Sequence, residues 1–298
     1  MSVKFIPSLL IPEVFHPFKR EKGFTADVIE NMVMDNFYKS IELGDGFDKT
    51  ERKRILELTE KNNLIVTQWL TFLIEENKLD ISSLDSNLRL KTVNKIKDSL
   101  YTSAEIGTKN IAIVTGEDPG VEHWADGIEG LYESLCEIAE TAKEYEINLL
   151  IEPLDRFAHK KRIIGTTDET ITLLNRVREK HDNVGIAFDT AHAALNGEDI
   201  LESLEKGRSL IHQIHFSNAI LDSNSNLYGD FHMEIGTPGF LTIEKISSIL
   251  RKVEELRIQE NGLRVAVEVR GKGGKEACYL NEKQLRTVLK EALDTAMI

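Results

Sequence analysis

Short apolar runs alternate with longer amphipathic stretches along the whole chain. The runs are rich in β-branched residues, and some, such as Leu64-Ile65-Val66, are apolar at consecutive positions. This pattern is typical of strands in a parallel sheet that is covered on both faces. We predict eight strands, at residues 3–10, 37–43, 64–70, 110–115, 148–151, 184–189, 210–216 and 263–269.

The stretches between the runs repeat apolar residues every three or four positions, as a helix with one buried face does. Helical spacing is clear over 128–142, 93–104, 243–256 and 285–292, and the charge-rich stretch 48–62 is also predicted to be helical. Thr166-Thr-Asp-Glu169 has the spacing of a capping box and predicts a helix start. Eight strands alternating with helices predict a (β/α)8 TIM barrel, with residues 1–298 forming a single domain.

Two segments, the glycine cluster 271–274 and the connection 217–240, bear on the fold and on function. The glycine cluster at 271–274 follows the last predicted strand, so it does not form a phosphate-binding loop early in the chain. The connection 217–240 exceeds the usual loop length, and we predict that it is a functional loop.

Composition and charge narrow the classes of protein to which this chain could belong. The net charge is −13, which disfavours nucleic-acid binding because phosphate backbones are repelled. No apolar run approaches the roughly 18 residues of a membrane span, and the first residues do not read as a signal peptide. With two cysteines, Cys136 and Cys278, a disulfide framework is not indicated. We therefore expect a cytoplasmic protein that binds neither membrane nor nucleic acid.

Four consecutive predicted strands carry an ionisable residue at or near their carboxyl ends: Glu152, Asp189, His215 and Glu268. In a barrel these ends meet at one rim, where active sites lie. Three carboxylates buried together cost several kcal/mol unless a positive charge lies between them. We predict one divalent metal at this rim; its oxygen-rich ligands suit Mn²⁺, Mg²⁺ or Co²⁺ and would accept Zn²⁺.

Further polar residues are candidates for substrate binding. His192 follows Asp189 by three residues, Asp230 and His232 lie in the connection 217–240, and Arg270 follows the last predicted strand. Asp230 and His232 could instead bind a further metal, and Arg270 could simply balance the acids. Glu42, near the end of the second predicted strand, is expected to support the site from below.

Five segments, taken in order, resemble a known family. They are Ile-Glu-Pro-Leu-Asp-Arg-Phe at 151–157, Ala-Phe-Asp-Thr-Ala-His at 187–192, His-Gln-Ile-His-Phe at 212–216, Gly-Thr-Pro-Gly at 236–239, and Val-Glu at 267–268. The set resembles the xylose-isomerase-like barrel superfamily, and within it the D-tagatose 3-epimerase and D-psicose 3-epimerase group of sugar epimerases.

The resemblance implies an isomerase of carbohydrate metabolism that acts on a small sugar (a ketose) or a sugar phosphate. Glu152, Asp189, His215 and Glu268 would hold one metal, usually manganese. Glu152 and Glu268 would also exchange protons with the substrate through a cis-enediolate, and His192 would contact a substrate hydroxyl. Relatives are often homodimers or homotetramers.

The sequence departs from the epimerase pattern at the substrate's ends. Asp155 stands where these enzymes usually have Asn, Ala158-His159 replaces a substrate-contacting Glu, and residues 218–221 lack the usual Arg. Epimerisation and aldose–ketose isomerisation therefore both stay open. Three further functions also stay open: an inosose dehydratase-like lyase, a non-catalytic sugar-binding barrel, and an endonuclease IV-like phosphodiesterase. The phosphodiesterase chemistry needs histidines after the third and fourth strands, and this sequence has Gln68-Trp69 and Thr115-Gly116 there.

Overall fold

A computed structural model describes residues 3–297, and over that range the chain forms nine strands and eleven α-helices. All eight predicted strands are present, within a few residues of their expected ends. They are β1 (Phe5–Leu10), β2 (Ser40–Leu43), β3 (Ile65–Trp69), β4 (Asn110–Val114), β5 (Asn148–Glu152), β6 (Val184–Asp189), β7 (Ile211–Ile220) and β9 (Leu263–Glu268).

These eight strands close into a parallel barrel. Each pairs in parallel with its neighbours from β1 to β7, and β9 completes the ring by pairing with both β7 and β1. The register places Asp189 opposite His215 and Ser217 opposite Glu268. The carboxyl ends of β5, β6, β7 and β9 therefore meet on one face, as the predicted TIM barrel requires.

Eight longer helices surround the barrel: α2 (Phe24–Met32), α3 (Lys49–Lys61), α5 (Ser86–Ala104), α6 (Trp124–Glu144), α7 (Thr167–Arg178), α9 (Ile200–Gly207), α10 (Ile243–Leu256) and α11 (Lys275–Ala296). Their starts follow local chemistry. The Asp48 carboxylate accepts two backbone N–H groups at the start of α3, and the predicted capping box of Thr166 and Glu169 begins α7. The charge-rich stretch after Asp48 is thus a helix, as predicted.

Three short helices lie at the carboxyl ends of strands: α1 (Ile11–Val14), α4 (Thr71–Glu76) and α8 (Thr190–Leu195). They follow β1, β3 and β6 closely and so stand around the predicted rim. In α8 the Asp189 carboxylate accepts the backbone N–H groups of Ala191 and His192. This cap holds Asp189 in place at the end of β6.

The prediction of one long loop at 217–240 was wrong in part. β7 continues to Ile220, and β8 (Gly229–Met233) pairs with it in antiparallel fashion. The hairpin forms because the polar cluster 222–226 supplies a turn between two segments able to pair. As a result Asp230 and His232 lie on a strand beside the barrel mouth.

Apolar side chains fill the space between barrel and helices, and a smaller cluster fills the barrel itself. Leu10, Trp69, Ala112, Leu150 and Ala187 form this inner cluster. Leu10 and Trp69 of this cluster also line the cavity at the rim. No helix in residues 3–297 is long and apolar enough to cross a membrane.

Candidate metal and substrate site

The four predicted metal ligands lie together at the carboxyl ends of their strands. Glu152, Asp189, His215 and Glu268, called the rim cluster below, each offer one ligand atom, and these atoms lie within 4.8 Å of one another. All four side chains are buried, with 2–8% of their surface exposed. Barrel topology brings them together. Glu152, Asp189 and Glu268 end their strands, and the register places His215, in the middle of the longer β7, opposite Asp189.

The electrostatics of the rim cluster are those of acids forced together. Burial and the nearby Glu268 carboxylate raise the pKa of Glu152 to about 8, and burial raises the pKa of Asp189 to about 6. Burial would also raise the pKa of Glu268, but interactions with His215 and His232 hold it well below its usual range. Glu152 and Asp189 thus resist ionisation, whereas Glu268 does not. A cation among the three carboxylates would stabilise their charged forms.

The donor set fits a divalent cation. Asp189 Oδ1 is used in capping α8, whereas Asp189 Oδ2 is buried and, among residues 3–297, meets no hydrogen-bond donor. Three carboxylates and one imidazole form a ligand set that Mn²⁺, Mg²⁺, Co²⁺ and Zn²⁺ can share. The unpaired oxygen is the atom that a metal at this point would take up.

His215 is held from below by Glu42, as predicted. Glu42 Oε2 lies 2.8 Å from His215 Nε2, and His215 Nδ1 lies 2.8 Å from Glu268 Oε2. The Trp69 ring packs beside the imidazole, with ring centroids 4.9 Å apart. Nδ1 is therefore the nitrogen that faces the rim cluster, and the ring has contacts on its other sides.

The four predicted substrate residues, His192, Asp230, His232 and Arg270, lie beside the rim. Together with Asp155, which contacts His192, they are called the wall cluster below. His192 Nδ1 lies 3.2 Å from Asp155 Oδ2, and its Nε2 lies 3.6 Å from Asp230 Oδ2. Burial lowers the pKa of His192, but its pairing with Asp155 and nearby Asp189 outweighs that and raises the pKa to about 9. His192 is thus a buried imidazole held between two acids.

His232 joins the wall cluster to the rim cluster. Its Nε2 lies 3.1 Å from Glu268 Oε1 and 3.5 Å from Asp230 Oδ2. Arg270 is in the cavity, but its guanidinium makes a two-bond ion pair with Glu13, at 2.7 and 3.0 Å. Arg270 is therefore tied to α1, which fits the charge-balancing alternative as well as a substrate contact.

A cavity lies above the rim cluster, and Glu152, His215 and Glu268 are among the residues that line it. Four apolar side chains, Leu10, Trp69, Phe72 and Val114, line it together with His192, His232 and Arg270 of the wall cluster. A ligand that carries both polar and less polar groups would match this lining.

Three residues of the site were not predicted as site residues from the sequence. Glu13 stands in the short helix after β1, and Lys160 lies in the loop after β5, 3.6 Å from Asp230 Oδ2. Asp155 was seen as a departure from the epimerase pattern, but its pairing with His192 was not foreseen. A charged residue close after a barrel strand was the available signal in each case.

The chain is similar in sequence to a curated protein over part of its length. A Thermoplasma acidophilum protein named "Probable endonuclease 4" is 27% identical over 168 residues, covering 53% of this chain and 54% of that protein. The chain thus matches only about half the length of this curated relative.

Solved structures match over nearly the full chain. A D-tagatose 3-epimerase-like protein superposes with a TM-score of 0.73 at 18% identity, covering 97% of this chain and 99% of that one. The IOLI protein with a binding zinc atom superposes with a TM-score of 0.70 at 16% identity, covering 98% of both chains. At these identities the matches establish the fold. The model of the family described as xylose isomerase-like TIM barrel matches residues 27–291, and this chain belongs to that family.

Proposed function

We propose that the protein is an isomerase or epimerase that acts on a small sugar, a ketose or a sugar phosphate, with one divalent metal in the rim cluster. One observation carries the proposal: Glu152 and Glu268 project toward a common point from strands separated by two others. Two carboxylates on either side of one bound substrate can remove a proton from one face and return a proton to another.

The metal, when bound, would polarise the substrate carbonyl and hold a neighbouring hydroxyl. Glu152, Asp189, His215 and Glu268 would be its ligands. Manganese is the expected ion by family resemblance, and the zinc named for the IOLI protein keeps zinc among the candidates.

Side chains of the protein would then transfer the protons. His215 Nδ1 lies 2.8 Å and His232 Nε2 lies 3.1 Å from the Glu268 carboxylate, and these contacts would orient Glu268 as the base that takes the carbon-bound proton. Removal of that proton leaves an enediolate in the substrate, and Glu152 returns a proton to it from the other side. His192, Asp230, His232 and Arg270 would contact the substrate's hydroxyls or end group.

The structural neighbours support the choice of chemistry, since one is named D-tagatose 3-epimerase-like and another L-ribulose 3-epimerase. In this proposal the departures at Asp155 and residues 218–221 change which sugar is accepted. The paired glutamates needed for proton transfer are retained.

Solvent-deuterium exchange tests the proposal. The chain, loaded with Mn²⁺ in D₂O, is offered ketohexoses, pentuloses and their phosphates, and deuterium uptake next to the carbonyl is measured by NMR. Glu268→Gln should lower uptake by about 10²- to 10⁴-fold. Glu282→Gln, which changes a fully buried glutamate outside the rim, is the matched control and should keep uptake. Equal uptake in Glu268→Gln and the wild type would contradict the assignment.

The same panel separates the rival functions. Loss of water from the product would indicate inosose dehydratase-like lyase chemistry, and saturable binding without uptake or turnover would indicate a sugar-binding barrel.

Phosphodiester cleavage has one specific observation in its favour, the curated relative named endonuclease 4. Against it stand the net charge of −13 and the residues at the ends of β3 and β4, Trp69 and Thr115, which cannot replace metal-binding histidines. Incubation with a duplex containing an abasic site checks this alternative. We expect no strand cleavage above that of Glu268→Gln.

A further inference from the structure

Charged and polar side chains run through the barrel interior beneath the rim cluster. Arg264 on β9, Gln213 on β7 and Glu42 on β2 all point inward, and each exposes 7% or less of its surface. Barrel interiors of this kind are usually filled by branched apolar residues, and burying unpaired charges costs several kcal/mol. Side chains this costly to bury call for an explanation beyond packing.

The hydrogen bonds of this column can run in only one direction. Arg264 has donors only, and its Nε lies 3.1 Å from Gln213 Oε1, so that amide oxygen must accept. Thr67 Oγ1 donates to the same oxygen at 3.3 Å. The amide nitrogen of Gln213 must therefore point away from Arg264, and it donates to Glu42 Oε2 at 2.5 Å. It also lies 2.8 Å from His215 Nε2, so both nitrogens converge on the same carboxylate oxygen.

Glu42 collects three donors on a single oxygen. Besides Gln213, Trp69 Nε1 donates to Oε2 at 2.6 Å, and His215 Nε2 lies 2.8 Å from it. The other oxygen, Oε1, has no hydrogen-bond partner in the part of the chain that the structure describes. The carboxylate is thus oriented entirely toward the underside of His215.

His215 lies between two carboxylates: Glu42 Oε2 is 2.8 Å from Nε2, and Glu268 Oε2 is 2.8 Å from Nδ1. A metal in the rim cluster would take the lone pair of Nδ1, and the Glu42 carboxylate would then keep the remaining ring hydrogen on Nε2. Gln213 could not orient Glu42 in this way if its amide were turned over, because its oxygen would then face the carboxylate. Arg264 is the residue that prevents that rotation.

We propose that Arg264, Gln213 and Glu42 are positioning residues that fix the tautomer and ring orientation of His215 for metal binding. The inference rests on the metal site of the proposed function but not on the reaction. Arg264 acts at a distance, through two intervening side chains, and touches neither metal nor substrate.

Metal affinity tests the inference without turnover. Binding of Mn²⁺ is measured from the electron paramagnetic resonance signal of the free ion, for the wild type, Glu42→Gln, Arg264→Leu and the control Glu282→Gln. Glu42→Gln should weaken binding by about 10- to 100-fold, as loss of a histidine's outer partner typically does. Arg264→Leu should weaken it by about 3- to 10-fold, since Glu42 keeps two other donors. Glu282→Gln should bind as the wild type does.

A second measurement, by NMR, detects directly which ring nitrogen of His215 carries the hydrogen. In the zinc-loaded protein with ¹⁵N-labelled histidine, His215 should show a protonated Nε2 with a hydrogen-bonded, downfield proton, assigned with a His215→Asn variant. Glu42→Gln should move that proton upfield. Thermal unfolding of the metal-free variants reports their folding, and if Glu42→Gln does not fold, Arg264→Leu decides.

Two results would overturn the inference. One is Mn²⁺ affinity within about threefold of wild type in both Glu42→Gln and Arg264→Leu, which would make the column a packing feature only. The other is a wild-type chain that binds no Mn²⁺, which would remove the metal site as well. A chain that binds Mn²⁺ but fails the deuterium-exchange test loses the proposed function, and its affinities still decide this inference.

Discussion

The rim cluster and the wall cluster lie side by side in one cavity but are built in different ways. Every member of the rim cluster stands on a barrel strand, where the hydrogen-bond register leaves little freedom. Most members of the wall cluster stand on loops, on the β7–β8 hairpin or on a short helix, and they are held by ion pairs with one another.

This difference separates two tasks. A rim fixed by strands suits a metal, which tolerates little displacement of its ligands, and loops and hairpins are the parts of a barrel that vary with the substrate. The two clusters meet at the contact between His232 and Glu268. We therefore expect rim variants to lose metal and wall variants to lose substrate.

The largest effect should come from removing a rim ligand. Asp189→Asn keeps an oxygen to cap α8, so the fold should persist, but it removes the charged oxygen that has no other partner in residues 3–297. Mn²⁺ affinity, measured by calorimetry, should fall by more than about 10²-fold. Asp230→Asn, the matched change in the wall cluster, should leave the affinity within about threefold. Similar losses in both variants would erase the distinction between the clusters.

A wall variant should show the opposite pattern. His192→Gln breaks the contact with Asp155 and removes a buried charged donor, so kcat/KM for the accepted sugar should fall by about 30-fold, near 2 kcal/mol. Mn²⁺ affinity should not change. A fall in metal affinity equal to the fall in kcat/KM would mean that His192 belongs functionally to the rim.

His212, which belongs to neither cluster, should make the stability of the protein depend on pH. This residue is on β7, three positions from His215, but faces outward, and burial together with nearby Arg264 lowers its pKa to about 4. The unfolded chain takes up the proton first, so stability present above pH 6.5 is lost as the pH falls toward 4. Wild type should lose about 2 kcal/mol between pH 7 and 5 that His212→Gln retains.

Urea denaturation at the two pH values gives this difference, with His181→Gln as the control at a half-exposed histidine. An equal pH dependence in wild type and His212→Gln would show that the loss arises elsewhere, including in the two clusters.

The smallest effect is expected where the wall cluster is anchored. Arg156 Nη1 donates to Glu169 at 2.5 Å, which ties the loop after β5 to the capping box of α7. Thr166→Ala should lower the free energy of unfolding by about 1 kcal/mol and leave Mn²⁺ affinity unchanged. Thermal unfolding and calorimetry on the same samples check both parts. A change in metal affinity would indicate that the rim also depends on this loop.

The contrast between the clusters explains what could be predicted from sequence. Glu152, Asp189, His215 and Glu268 were identifiable because strand period and barrel topology place strand ends together whatever the loops do. The partners Glu13 and Lys160 were not, because their contacts depend on loop paths that no periodicity encodes. The hairpin at Gly229–Met233 was missed for the same reason: length indicated a loop, whereas pairing with β7 decided its form.

The most direct test of the proposed metal site is an anomalous-scattering map from crystals soaked in Mn²⁺ with an accepted ketose. We expect one manganese peak within bonding distance of Glu152, Asp189, His215 Nδ1 and Glu268, with the sugar's carbonyl end beside it and its hydroxyls toward His192. A map with no peak at the rim cluster at saturating Mn²⁺, or with the metal held by the wall cluster while the rim stays empty, would contradict the proposed site.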